Sequence, residues 1–478
     1  MIAGFAELWE CDHDDWIVWA PTAKCRAEMA AAAPCDVSPS YIQVDHLRSA
    51  AATSGPVNRM TCETFTVFEE FDADVMGRVF ADYLRAHTAF HTWTTLDGDG
   101  GWVSRTLSPE RLELEIVARS TPGAGTIKDY IMGSLPSLDD WCAFGYGVTG
   151  IVAGDEPRFT VVLATDHMFS DGVSQAISFF EVLSRYSAAM GGLPFGAPPA
   201  RPYGDYARAQ RERIAGLRPD SPEVALWRKT ISRCGGTTPA FPLPLGDSVD
   251  DEGHASNGEM YVVPDFADDA AVQRLQAVTR AHGGTMNATL LAMMGVLHRR
   301  FTGDSVFTMM VPRNDRPDPG DALAVGWYVT LVPVQFECPE DATFGEIIQG
   351  AKAATNEVRL LDGVPIFPVI DLLADDPDFR VDHGFTAPML SYIDLTRLPG
   401  ASVADRHDFS VFANPSPSAE VFMWINRNAE GMEFYAMHPA NDTARASVRE
   451  YYTALRALLD EVIAPAAAGG TIASLSVA

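Results

Sequence analysis

The chain has 478 residues, 47% of them apolar and 21% charged, the profile of a folded globular protein long enough for two cores. Its 64 acidic against 35 basic side chains leave a net charge of −29. That balance excludes a general nucleic-acid binder, which needs a basic footprint, and attraction to anionic lipid through bulk charge.

Seven cysteines (Cys11, Cys25, Cys35, Cys62, Cys142, Cys234, Cys338) are scattered without a close pair. Such a set fits reduced thiols better than a disulfide framework or a zinc site. The opening stretch MIAGFAELWECDHDDW has no positively charged n-region, so no signal peptide is expected. The longest apolar helical run, TLLAMMGVLH over 289–298, is too short to span a bilayer. A cytoplasmic monomer is therefore expected, with peripheral association at the inner membrane face as the alternative.

Along the chain, strand-like and helix-like segments interleave, the pattern of an α/β protein. Residues 61–71 alternate as a strand, and 73–87 carry apolar residues at three and four spacing. Further strands are predicted over 159–164, 259–263, 306–311, 329–336 and 421–425. Helices are predicted over 172–189, 268–282, 285–301 and 447–463. The helix over 268–282 should end at Gly283-Gly284, where a C-terminal cap can take positive φ. The helix after it is apolar almost all round and should be buried. The stretch 233–258, rich in Gly, Pro and acids, predicts a linker between lobes 1–218 and 219–478.

The segment RFTVVLATDHMFSDGVSQ over 158–175 holds the first candidate for chemistry. A buried strand ends on His167, and a helix starts at Gly172. Strand-to-helix junctions in α/β layers expose side chains and free amides to ligands. Histidine is the natural proton acceptor near neutral pH. Gly172 would permit a tight turn and leave an amide free at the helix start. His87 and His91, four apart on a predicted helix, have a spacing that could hold zinc, but no third ligand is near in sequence.

HMFSDG resembles the His-x-x-x-Asp-Gly signature of the coenzyme-A-dependent acyltransferase and condensation-domain superfamily, and Ser174 extends the likeness to Asp-Gly-x-Ser. SPSYIQVDHLR places Ser40 and Gln43 where those domains carry a Ser-x-x-Gln element. RAHTAFHTW resembles their Arg-His-x-x-Leu-Arg-Thr, with His87 matching the histidine and His91 replacing an arginine. YGDYARAQ, VPRNDRP, VGWYVT and GVPIF follow in the family's order, with Ala209 in place of a tryptophan. ELWE, WAPT, PSYIQ, the unit over 220–247 and GWY at 326–328 are similar to the polyketide-associated acyltransferases of actinobacteria, which acylate trehalose glycolipids. Asp166 stands where peptide-forming condensation domains usually carry a second histidine.

The resemblance implies an α/β fold with mixed sheets, built as two chloramphenicol-acetyltransferase-like lobes in a V with a tunnel between them. It implies His167 as general base and Asp171 as a structural acid paired with an arginine of the second lobe, Arg313 first and Arg316 second. Ser174, Trp327 and Tyr328 would line the tunnel. The expected reaction moves a polyketide or fatty acyl group from coenzyme A or a carrier protein of a polyketide synthase to a hydroxyl of a sugar or lipid-like alcohol. No cofactor or metal is implied. The alternatives are a free-standing amide-forming condensation enzyme and an inactive carrier-recruiting module. The arginine-rich stretch over 201–218, with Arg208 and Arg211, is a candidate docking face for the acidic donor.

Overall fold

The computed structural model describes the chain except residues 1, 6–8, 12, 52–59, 97–100, 122, 124, 135–143, 197–199, 249–254, 256, 382, 384, 415 and 465–478. Cys142, part of the ELWE element, part of the expected linker and most of the tail over 464–478 fall outside the described residues.

Two compact units divide the chain, and each draws on both halves of the sequence. The first contains Met1–Glu212, Arg316–Tyr328 and Thr396–Ser416; the second contains Arg213–Asp315, Val329–Leu395 and Pro417–Ala478. The simple division after residue 218 is thereby corrected. Two segments from the second half belong to the first unit, because one carries a strand of its sheet and the other is hydrogen-bonded to its motif helix.

The first unit is built on a seven-stranded mixed sheet. Across it run Ile2–Phe5, Ser410–Ala413, Met60–Val67, Arg158–Asp166, Phe144–Val152, Trp16–Pro21 and Leu114–Arg119. Arg158–Asp166 lies in the middle, antiparallel to both neighbours, with Asp166 opposite Met60 and Thr165 opposite Phe144. Its run of β-branched and aliphatic residues suits a strand covered on both faces, and the last six positions are buried. Helices Ala73–Ala86 and Gly172–Met190 pack on the sheet over an aromatic core that includes Phe65, Phe80, Tyr83, Phe90, Phe159 and Tyr186.

The second unit has a six-stranded mixed sheet in the order Val329–Glu337, Val306–Asn314, Met389–Asp394, Phe422–Arg427, Gly431–Pro439, Gly258–Asp268. Helices Asp269–Ala281, Met286–Thr302, Phe344–Glu357 and Asp442–Ile463 cover it. In Met286–Thr302 every residue from Ala288 to Leu297 is buried. Gly295 on this helix lets it approach the sheet: a Cβ there would stand 2.7 Å from Cys338 Sγ and 2.9 Å from the Phe336 ring. Gly283, at φ +60°, follows Asp269–Ala281 as the pattern predicts. Among the described residues, no helix is long and apolar enough to cross a membrane.

Candidate active site

The site is assembled within the first unit, where the central strand ends. Arg158–Asp166 runs directly into a single 3-10 turn, His167–Phe169, capped by Asp166, whose Oδ1 accepts the Met168 N–H at 2.8 Å. Asp171 then caps the helix Gly172–Met190 by accepting the Ser174 N–H at 2.8 Å. The two caps, Asp166 and Asp171, stand five residues apart and turn the chain sharply on each side of His167. Gly172 is the first helical residue and does not take a positive φ, so a left-handed turn is not what calls for glycine there.

His167 is partly buried, and its Nδ1 is enclosed without a hydrogen-bond partner. The residue's own main-chain hydrogen-bonding group pulls its pKa up, but Nδ1 does not reach hydrogen-bond geometry. Burial dominates and pushes the imidazole below its ordinary pKa, His46 pushes the same way, and Asp166 and Asp171 oppose them. The imidazole lies against the Trp327 indole, with centroids 4.3 Å apart and planes at 32°. A neutral imidazole at the end of a strand, with Nδ1 closed off, leaves Nε2 as the proton acceptor.

Asp171 does not serve His167 chemically. Its Oδ1 accepts from Ser174 N–H and from Arg316 Nη2 at 3.0 Å; its Oδ2 accepts from Arg316 Nη1 at 3.1 Å and from Tyr328 N–H at 2.9 Å. These four bonds use the carboxylate's acceptor positions. The pair with Arg316 is almost fully buried, at 5% and 4% exposure. The expected partner was Arg313, and this is corrected. Arg313 ends the strand Val306–Asn314 in the second unit and binds Asp362 through Nε at 2.6 Å and Nη2 at 3.1 Å. It also lines a cavity of about 270 Å³ with Asn287, Asn314 and Thr355.

Ser174 and Tyr328 are likewise core residues rather than a lining, both at 0% exposure. Ser174 Oγ donates to the Gly326 carbonyl at 2.8 Å and accepts from Gly326 N–H at 3.1 Å and Arg316 Nη2 at 2.9 Å. Tyr328 packs against Tyr203 and Tyr206, with the Arg316 guanidinium 4.5 Å over its ring. Gly326 has to be glycine because a Cβ would overlap the Tyr203 ring. These contacts hold the segment Arg316–Tyr328 in place and leave Trp327, partly exposed, beside His167.

The helix Tyr41–Ala51 braces the turn from another direction. Gln43 and His46, three apart on it, meet the turn and its cap, and Ser40 just before it bonds Gln43 and Tyr203. Tyr203 Oη donates to the Trp327 carbonyl at 2.9 Å and bonds Ser40 Oγ at 3.0 Å. Gln43 Nε2 donates to the Met168 carbonyl at 2.9 Å. His46 Nε2 meets Asp166 Oδ1 at 2.7 Å, both residues being buried, and the His46 ring lies edge-on to Trp327 at 5.3 Å and 84°. His46 was not among the residues singled out from sequence. Its signal was the continuation of the Ser40, Gln43 spacing by three.

The remaining candidates have other duties. His87 Nε2 meets Glu181 Oε2 at 3.0 Å, and its Nδ1 accepts the Val325 N–H at 3.4 Å, which ties the motif helix to the Trp327 segment. Burial would raise the Glu181 carboxyl, but His87 and Arg185 together hold it below its ordinary pKa. His91 Nε2 donates to the Leu84 carbonyl at 2.9 Å. Arg211 is corrected as a docking residue: its guanidinium lies between the Tyr41 and Trp102 rings, at 4.7 and 4.3 Å, and donates twice to the Pro39 carbonyl. Arg208 stays exposed, paired with Asp205 at 2.9 Å.

A buried strand ending on a neutral histidine, an aspartate locked to an arginine, and a glycine at the helix start define a His-x-x-x-Asp-Gly protein. The chain belongs to the condensation-domain family, whose pattern it matches over residues 61–392. Within that family its relatives include proteins named as acyltransferases.

It is 26% identical over 469 residues to "Acyltransferase PapA3" of Mycobacterium tuberculosis, covering 94% of this chain and 95% of that one. It is 26% identical over 476 residues to "Trehalose-2-sulfate acyltransferase PapA2" of the same species, covering 98% and 97%. Its fold matches the solved structure titled "PapA2 acyl transferase" with a TM-score of 0.87 at 24% identity, over 97% of this chain and 100% of that chain.

Proposed function

We propose that this protein transfers a fatty or polyketide acyl group from a thioester, on coenzyme A or a carrier protein, to a hydroxyl of a trehalose-type sugar. The observation that carries the reading is His167 itself: a partly buried imidazole at the end of the central strand, its pKa pushed down by desolvation and its Nδ1 enclosed. The sugar acceptor rests on the name of the trehalose-2-sulfate relative.

In this reading Nε2 takes the hydroxyl proton as the sugar oxygen attacks the thioester carbonyl. The C–S bond then breaks, and the imidazolium returns the proton to the departing thiolate. A thiolate leaves readily, so no covalent enzyme intermediate is needed. Alignment of the two substrates supplies several kcal/mol of the barrier, and the positioned base adds roughly 10²–10⁴-fold. No cofactor besides the thioester substrate enters the scheme.

An amine acceptor would use the same base, so the product decides between ester and amide. Purified protein is given palmitoyl-CoA with trehalose, trehalose 2-sulfate or a primary amine, and products are read by mass spectrometry. The expected result is a monoacyl sugar ester that disappears with His167→Ala. Amide formed in preference to ester would overturn the reading.

A further inference from the structure

A general base must present its nitrogen along a fixed line, and most catalytic histidines are oriented by a hydrogen bond at the second ring nitrogen. No other residue makes that bond to His167: its Nδ1 is enclosed, with only the residue's own main chain acting on it. Packing therefore has to share in its orientation. The surface it packs on is the Trp327 indole, 4.3 Å away.

Trp327 needs a support of its own. Its backbone carbonyl is held by Tyr203 Oη, and its ring packs at the edge of the first unit's core. The ring is met edge-on by His46 at 5.3 Å and 84°. His46 in turn is anchored by Asp166 at 2.7 Å, and the same Asp166 oxygen holds the Met168 N–H. Asp166 is covalently joined to His167. The four residues thus close a circuit: Asp166 to His46 by a hydrogen bond, His46 to Trp327 and Trp327 to His167 by ring contacts, and His167 back to Asp166 by a peptide bond. All four lie in the first unit.

We propose that His46 is a positioning residue for acyl transfer: anchored on Asp166, its side chain holds the edge of the Trp327 indole, and the indole fixes the imidazole of His167. His46 need not touch substrate. It acts on the angle at which Nε2 is offered, so its loss lowers turnover rather than donor binding. Misplacement by about 1 Å can cost on the order of 10²-fold in rate. The inference rests on the reading of His167 as the base.

The test compares His46→Leu, which fills the space without a donor, with His46→Gln, whose amide N–H stands near the position of imidazole Nε2. Turnover is measured as coenzyme A released from palmitoyl-CoA with trehalose 2-sulfate. In parallel, the rate at which diethyl pyrocarbonate modifies His167 at pH 8 is read by peptide mass spectrometry, which needs no substrate. His46→Leu should lower kcat at least tenfold with KM for palmitoyl-CoA within twofold, and should change the modification rate at least threefold. His46→Gln should stay within threefold of wild type in both. Should His46→Leu not fold, His46→Asn, whose shorter amide cannot reach Asp166, takes its place.

The proposal is overturned if His46→Leu leaves the modification rate unchanged, or if the loss falls on KM. It is equally overturned if His46→Gln is as impaired as His46→Leu, since the anchor on Asp166 would then not be the means of positioning. His167→Ala is the control: if it turns over normally, the assignment of the base fails, while the modification rates still judge the circuit.

Discussion

Arg316 and Asp171 meet through two nearly parallel hydrogen bonds, 3.0 and 3.1 Å long, with both side chains withdrawn from solvent. Around them the Ser174 hydroxyl, the Tyr328 amide and the Ala324 carbonyl complete a network with no catalytic atom in it. Taking one partner from a buried pair leaves an uncompensated charge and costs about 3–5 kcal/mol. Arg316→Ala should therefore lower the melting temperature sharply, together with activity. Arg313→Ala breaks a pair that is 22% and 37% exposed and should cost about 1 kcal/mol or less. Calorimetry of the two variants checks the order; the reverse order would return Asp171 to Arg313.

Replacing the base should separate chemistry from folding. His167→Ala removes a ring whose Nδ1 is bonded to no other residue, so the melting temperature should stay within a few degrees of wild type. Acyl transfer should fall by about 10²–10⁴-fold. Near wild-type turnover at saturating substrates would remove His167 from the mechanism.

The pH dependence follows from the same residue. Burial lowers the His167 pKa from its ordinary value of about 6.5. With His167 as the proposed base the neutral form is the active one, so activity should be lost as pH falls through the lowered folded value. The acid limb of kcat/KM should accordingly have its midpoint below about 6.5. A midpoint above that value would mean that charge, and not burial, governs the ring.

Glu420 provides a stability test in the second unit. It is buried, its Oε2 accepts from the Phe241 and Val421 amides at 3.3 Å, and burial raises its pKa to about 7. An acid raised on folding binds a proton that the unfolded chain releases. Its stabilising effect is full below the unfolded value of about 4.5 and is lost as pH rises towards 7. Glu420→Gln keeps the acceptor and removes the charge. It should leave stability at pH 4.5 nearly unchanged and raise it at pH 8 by about 2–3 kcal/mol. Denaturant melts at the two pH values measure this, and equal effects at both would contradict it.

Arg208 and Arg211, adjacent in the same arginine-rich helix, should now behave differently. Arg211→Glu breaks a guanidinium packed between two rings and should reduce stability. Arg208→Glu reverses an exposed charge, so melting should not change. If this face receives an acidic carrier, Arg208→Glu slows transfer from carrier-bound acyl groups but not from a small N-acetylcysteamine thioester, and the defect shrinks as salt rises. Equal rates with both donors would mark Arg208 as a solvated residue only.

What the sequence determined by itself is local. The strand, the turn on His167 and the helix after Gly172 were readable because their causes lie within a few residues: β-branched runs, apolar spacing of three and four, and polar caps. The predicted helix over 172–189 and the observed Gly172–Met190 differ by one residue.

What the tertiary structure alone decided is which distant groups meet. Arg313 and Arg316 stand three apart in one polar stretch, and nothing within that stretch says which of them reaches Asp171, 145 residues away from Arg316. The strand Val306–Asn314 carries Arg313 into the second unit, while Arg316 begins the segment that packs in the first. The same holds for Ser174 and Tyr328, whose burial depends on the return of that segment, and for Arg211, whose charge is held between rings from residues 41 and 102. His46 was hidden for the same reason. A histidine on a helix becomes part of a site only when long-range packing sets it against an aspartate 120 residues away, and no local pattern records that distance.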